Sequence, residues 1–130
     1  MKITLTQEER EKLLFEAFCG AGHLHYGDMS IKVDQDIYDA ARALFKERLG
    51  DGYALSREDV WIEAVRQGFE VWIIDNEDGE GYLVTADNLS HLDNLPLNII
   101  SKVLIDDEGY DAEDLDWVLE YIMFNDKIYG

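Results

Sequence analysis

Cys19, His23 and His25 are the densest group of metal-ligating side chains in the sequence, in a C-x3-H-x-H spacing whose ligand types suit zinc. A structural zinc site needs four ligands, and His91 is the only histidine outside this group. Gly20 and Gly22 also interrupt the helix that would bring Cys19 and His23 onto one face. The group therefore reads as a small cysteine beside two loop histidines, and no metal is assigned. A second spacing begins at Asn76. Counting it as position 1, Asp78, Glu80 and Gly81 fall at positions 3, 5 and 6, and Asp87 at position 12. This is a degraded EF-hand loop. Its flanks read as strands rather than helices, and Asp87 replaces the usual bidentate glutamate. An acidic hairpin turn using Asp-Gly and Glu-Gly for positive φ accounts for the same residues.

Signatures of catalysis are absent from the sequence: no GxSxG, P-loop, GxGxxG or HExxH occurs. Carboxylate pairs such as Asp106/Asp107 and Glu113/Asp114 read as solvated faces, because an acid or base catalyst needs a pocket that shifts its pKa. The expectation is a non-enzymatic protein without a cofactor.

The last helical segment is the most informative. At about 100° per residue, Leu115, Val118, Leu119 and Ile122 form one stripe, the expected core face. Trp117, Tyr121 and Phe124 form a second stripe on nearly the opposite side, surrounded by Glu113, Asp114, Asp116 and Glu120. A helix apolar on both sides is either sandwiched within the fold or presents its second face to a partner. The tail NDKIYG could fold back over the aromatics. Aromatic anchors within a charged rim are what binding surfaces use, so these seven residues are the candidate binding site.

Charge gives that site a sign. Twenty-nine acids against eleven bases leave a net charge of −18. Residues 1–66 hold 13 acids and 9 bases, a net of −4. Residues 67–130 hold 16 acids and only Lys102 and Lys127, a net of −14. Such a field repels nucleic acid and anionic membranes and favours basic protein surfaces, including those of nucleic-acid-binding proteins.

The elements that must carry these residues follow from capping and periodicity. Thr6 with Glu9 is a capping box, and Leu13, Leu14, Ala17 and Phe18 give the helical stripe behind it, ending at Gly20. Residues 20–28 read as a glycine-rich loop, and Ile31 and Val33 as a short strand. Helices follow over about Ile37–Leu49, from Ser56 as cap to Gly68, around Asn88–Leu92, over about Leu97–Ile105, and over about Ala112–Phe124 behind Asp111. Phe69–Thr85 predicts a β-hairpin around the acidic turn DNEDGEG. Helices outnumber strands, so the expected fold is a single α+β domain over residues 1–130, several helices packed against a small antiparallel sheet containing that central hairpin.

Size and composition agree with one core. Hydrophobic residues make up 47% of 130 residues, too apolar for a disordered chain. No run approaches the roughly 18 apolar residues that cross a bilayer, and the N-terminus carries no export signal. One cysteine excludes an internal disulfide and fits a reducing compartment, so the expected location is the cytoplasm.

The C-terminal stretch AEDLDWVLEYIMFNDKIYG, together with SREDVWIEAVRQG, the acidic hairpin and TADNL, is similar to a family of small acidic proteins of unknown function from bacterial phages and mobile elements. The similarity runs roughly the whole length. Its motifs are packing and capping patterns, so it implies a mobile-element origin and supplies no activity or site. Three function classes stay open. One is an acidic inhibitor or nucleic-acid mimic that occupies a nucleic-acid-binding host protein, since dense carboxylates imitate the field of duplex DNA. Another is a small accessory or assembly protein, a homodimer through the Trp117 face, whose acidity only maintains solubility. The third is an enzyme whose site no motif reveals.

Overall fold

The computed structural model describes residues 4–23, 29–50, 52, 55–105 and 111–126. In chain order the elements are α1 (Gln7–His23), β1 (Met29–Lys32), α2 (Gln35–Leu49), α3 (Arg57–Arg66), β2 (Trp72–Asp75), β3 (Gly81–Leu83), α4 (Ala86–Ser90), a 3-10 turn (His91–Asn94), α5 (Leu97–Leu104) and α6 (Ala112–Phe124). The fold is α+β, helices packed against a three-stranded antiparallel sheet of order β1-β2-β3.

Local chemistry sets most boundaries. At the start of α1 the Thr6 hydroxyl accepts from the Glu9 amide at 3.1 Å, and the Glu9 carboxylate accepts from the Thr6 amide at 2.8 Å. Ser56 with Asp59 and Asp111 with Asp114 form the same reciprocal box at the starts of α3 and α6. Each box satisfies two amides that have no helical acceptor.

The hairpin expected over Phe69–Thr85 is β2 and β3, registered Trp72↔Leu83, Ile73↔Tyr82 and Ile74↔Gly81. Gly79, at φ 78°, supplies the left-handed residue of the turn, and its amide donates to Asp75 O at 2.8 Å. Gly81 needs no positive φ, because it lies in β3. β1 pairs on the other side of β2, from Met29↔Asp75 to Lys32↔Trp72, two residues earlier than the Ile31–Val33 alternation suggested.

A larger difference concerns α1, which does not end at Gly20 but continues to His23. Gly20 is buried where α1 meets α6, and a Cβ there would lie 2.4 Å from Leu115 Cδ1. The glycine serves close helix packing rather than helix termination. Of the loop expected over residues 20–28, residues 24–28, including His25, lie outside the described residues.

One hydrophobic cluster joins these elements. α1 contributes Leu13, Leu14, Ala17 and Phe18 and packs against α3, α5, α6 and β1. The Phe18 and Trp61 rings meet edge to face at 5.4 Å. Ile73 of β2, Leu89 and Leu92, Ile99, Ile100 and Val103 of α5, and Leu115, Val118, Leu119 and Ile122 of α6 complete the cluster. α2 packs on α3, burying Phe45 and Ala41, the latter a member of the cluster. Among the described residues no helix is long and apolar enough to cross a membrane.

Candidate functional site

α6 is held at both ends. At its start, Asp111 and Asp114 form the capping box, and Lys102 of α5 approaches Asp114 at 3.7 Å. At its end, Asn88 Nδ2 donates to Ile122 O at 3.2 Å. His91 Nδ1 lies 3.2 Å from the carbonyl oxygens of both Tyr121 and Ile122, so this nitrogen carries the proton and donates. Asn94 donates to the Asn125 side chain at 2.9 Å, and Asn125 closes the helix in the left-handed conformation at φ 57°. The segment from α4 through the 3-10 turn thus bonds the Tyr121 and Ile122 carbonyls in the last turn of α6.

With its ends fixed, α6 buries Leu115, Val118, Leu119, Ile122 and Met123. Trp117, Tyr121 and Phe124 are half-buried, packed at their bases against the core. Trp117 and Tyr121 lie nearly parallel, with centroids 6.0 Å apart and planes 17° from parallel. Phe124 meets Tyr82 of β3 edge to face at 5.0 Å. At about 100° per residue, Glu113 stands on the same arc as Trp117, Tyr121 and Phe124, one turn before Trp117, and it is exposed.

The expected charged rim is corrected at two positions. Asp114 is 6% exposed and Glu120 is 1% exposed, so neither carboxylate belongs to a solvated border. Asp114 is drawn inward by the cap it completes. Glu120 stands beside the aromatic arc on the helical wheel, yet it is enclosed by the fold. Glu113 and the half-buried Asp116 remain at the surface.

Tertiary structure supplies the rest of the rim from the hairpin. Glu77, Asp78 and Glu80 are exposed in the turn that leads into Tyr82. Partial desolvation, followed by the charges of Asp78, Asp75 and Glu80, holds the Tyr82 phenol above its ordinary pKa. Desolvation and then Asp126 act on the Tyr121 phenol in the same direction. Tyr82, Asp78 and Glu80 were not legible as members of this site, because the Tyr82–Phe124 contact joins residues 42 positions apart. The result is an aromatic row running from Trp117 to Tyr82, flanked by carboxylates at both ends.

The candidate metal spacings look different in three dimensions. Cys19 and His23 do share α1, but the side chain of His23 and all of His25 lie outside the described residues. Burial, then Glu58, Glu16 and Asp59, pushes the Cys19 thiol up to about 11, which keeps it protonated at neutral pH. In the EF-hand-like spacing, Asn76 Oδ1 accepts from the Ser30 hydroxyl at 3.0 Å, and Asp78 Oδ1 accepts from the Glu80 amide at 2.8 Å. These groups tie a strand–turn–strand together, and Asp87 lies in the first turn of α4. Among the described residues no group of three or more His, Cys, Asp and Glu side chains is placed to hold a metal ion.

Among the described residues, arginines engage Glu11, Glu58 and Glu63 of the first half. Buried Glu63 accepts from Arg48, from Arg66 at 3.2 Å and from Gln67 at 2.9 Å, while Arg66 also reaches Glu11 at 2.8 Å. Arg10 holds Asp93 at 2.7 Å. Arg48 and Arg66 are thus engaged by first-half acids and Arg10 by Asp93, while residues 67–130 carry most of the acidic excess, −14 against −4. Comparison of the chain with known proteins found no matching family model, no matching curated protein and no matching solved structure.

Proposed function

We propose that this chain is an acidic protein-binding module that docks a basic partner on the surface formed by α6 and the β2–β3 hairpin. The observation that carries this reading is the half-exposed row of Trp117, Tyr121, Phe124 and Tyr82 set beside the exposed carboxylates of Glu113, Asp78 and Glu80. Half-exposed aromatics offer area that a partner can desolvate at low entropic cost, because their bases are already fixed by the core. The carboxylates steer encounter with a basic surface and repel nucleic acid. A partner that itself binds nucleic acid has the matching charge. An inhibitor or nucleic-acid mimic from a phage or mobile element, acting on such a host protein, is the biological form this reading takes.

The test is affinity purification from the native host with three proteins: the wild type, Trp117→Ala, and Glu80→Gln combined with Glu113→Gln. Circular dichroism establishes that each is folded. The wild type is expected to recover a basic protein in a salt-sensitive manner. The charge variant should associate more slowly with a flatter salt dependence, and Trp117→Ala should dissociate faster. Equal recovery and equal kinetics for all three would overturn the proposal.

A further inference from the structure

The chain binds its own arginines in a recurring way. The Arg57 guanidinium lies 4.6 Å over the Trp61 ring while its Nη2 contacts Glu58 at 3.2 Å. The Arg48 guanidinium lies 5.0 Å over the Phe45 ring while its Nη2 contacts Glu63. In both cases an aromatic face and a carboxylate grip one planar cation, the ring through its quadrupole and the acid through a charge-assisted hydrogen bond.

The α6–hairpin surface assembles the same two components. Tyr82 lies against Phe124 and within the field of Asp78 and Glu80. Tyr121 lies against Trp117 and within the field of Asp126. In residues 67–130 the bases are Lys102, which is paired with Asp114, and Lys127.

We infer that this surface selects arginine over lysine in its partner, each guanidinium lying over a ring of the Trp117–Tyr121–Phe124–Tyr82 row and pairing with an adjoining carboxylate. The inference rests on the binding role proposed above and narrows its partner to an arginine-bearing segment. Lysine satisfies the charge but engages the rings less well, since its ammonium is compact, strongly hydrated and unable to stack. A purely apolar partner would strip water from Asp78 and Glu80 without replacing it, which is unfavourable. Arginine meets both requirements.

The experiment uses the full chain and two synthetic peptides of equal charge, octa-arginine and octa-lysine, titrated calorimetrically at about 0.15 M salt, where long-range attraction is largely screened. Two guanidinium–ring contacts give octa-arginine roughly tenfold tighter binding. Tyr82→Leu with Tyr121→Leu keeps apolar bulk but removes two of the four rings, and should lower the ratio, octa-arginine losing more affinity than octa-lysine. A wild-type measurement guards against a misfolded variant: the side-chain methylene protons of bound octa-arginine should shift upfield in NMR, as protons held over a ring do. Equal affinity for the two peptides, or no upfield shift, overturns arginine selection while leaving an acidic binding module intact. A preference undiminished in the folded double variant places the selection elsewhere and also overturns it. Failure of both peptides to bind removes the binding role together with the inference.

Discussion

Substitution of Gly20 by alanine tests the packing of α1 on α6 directly, because two effects of opposite sign meet at one atom. Alanine is preferred over glycine inside a helix by about 0.8–1.0 kcal/mol. The added Cβ, however, would stand 2.4 Å from Leu115 Cδ1, and 3.3 and 3.4 Å from Leu115 Cβ and Cγ. The Cδ1 methyl is the movable end of a side chain, but Leu115 is only 6% exposed, so its rotation displaces packed neighbours. Overpacking of this kind costs about 1–3 kcal/mol, so Gly20→Ala should destabilise the protein by about 1 kcal/mol net. Leu115→Ala alone should cost about 2–5 kcal/mol through lost burial and an unfilled cavity. In the double variant the new methyl enters the space that the leucine vacates. The 2.4 Å clash with Cδ1 disappears, leaving the tight 3.3 Å contact between Cβ atoms, the cavity shrinks and the helix preference is recovered. The double variant should therefore be less destabilised than the two single changes together by about 1–3 kcal/mol. Urea unfolding of all four proteins, with unchanged m-values, measures this coupling. Additivity within about 0.5 kcal/mol, or a Gly20→Ala protein stabilised by the whole helix preference, would refute the close approach of α1 and α6.

Removing the Glu63 carboxylate should be costly, because it is 2% exposed and gathers Arg48, Arg66 and Gln67. Glu63→Ala is expected to lose about 3 kcal/mol in urea unfolding, at the lower end for a broken buried pair since both arginines reach solvent, and Glu63→Gln less; no change in either variant would refute it. Cys19 should alkylate slowly at neutral pH and faster as pH approaches 11. Its raised folded pKa means the protonated thiol favours the fold: that contribution is intact below the ordinary thiol value of 9.0 and is lost between 9.0 and about 11. The stability difference between wild type and Cys19→Ala should therefore be flat below that window and fall within it, and a difference independent of pH throughout would refute the assignment. Thermal stability should rise from low salt to about 0.15 M, where charges more than about 8 Å apart are screened from one another. A salt-independent Tm would show that the −14 excess of residues 67–130 is already neutralised locally.

Features set by residues three or four apart were legible without coordinates. Thr6 with Glu9, Ser56 and Asp111 mark their caps within one turn, so the starts of α1, α3 and α6 follow from side-chain type, whereas the return bonds from Asp59 and Asp114 came from the structure. The hairpin was equally local, since the β-branched and aromatic run Val71–Ile74 and the Asp78-Gly79 step specify strand and turn over a dozen residues. The core stripe of α6 could be read from its helical period. Tertiary structure decided what depends on a distant neighbour. Gly20 looked like a helix stop, and only the approach of Leu115, 95 positions later, makes it an interior packing residue. Asp114 and Glu120 looked like a solvated rim, because a carboxylate is usually exposed, and only the surrounding elements enclose them. The aromatic row of α6 was visible as a stripe. Its continuation through Tyr82 to the hairpin acids was not, because the contact that joins them is made by the folding of β3 against the end of α6. Local signals fix backbone geometry within a turn or a strand pair, whereas burial and the composition of a surface are properties of elements brought together from across the chain.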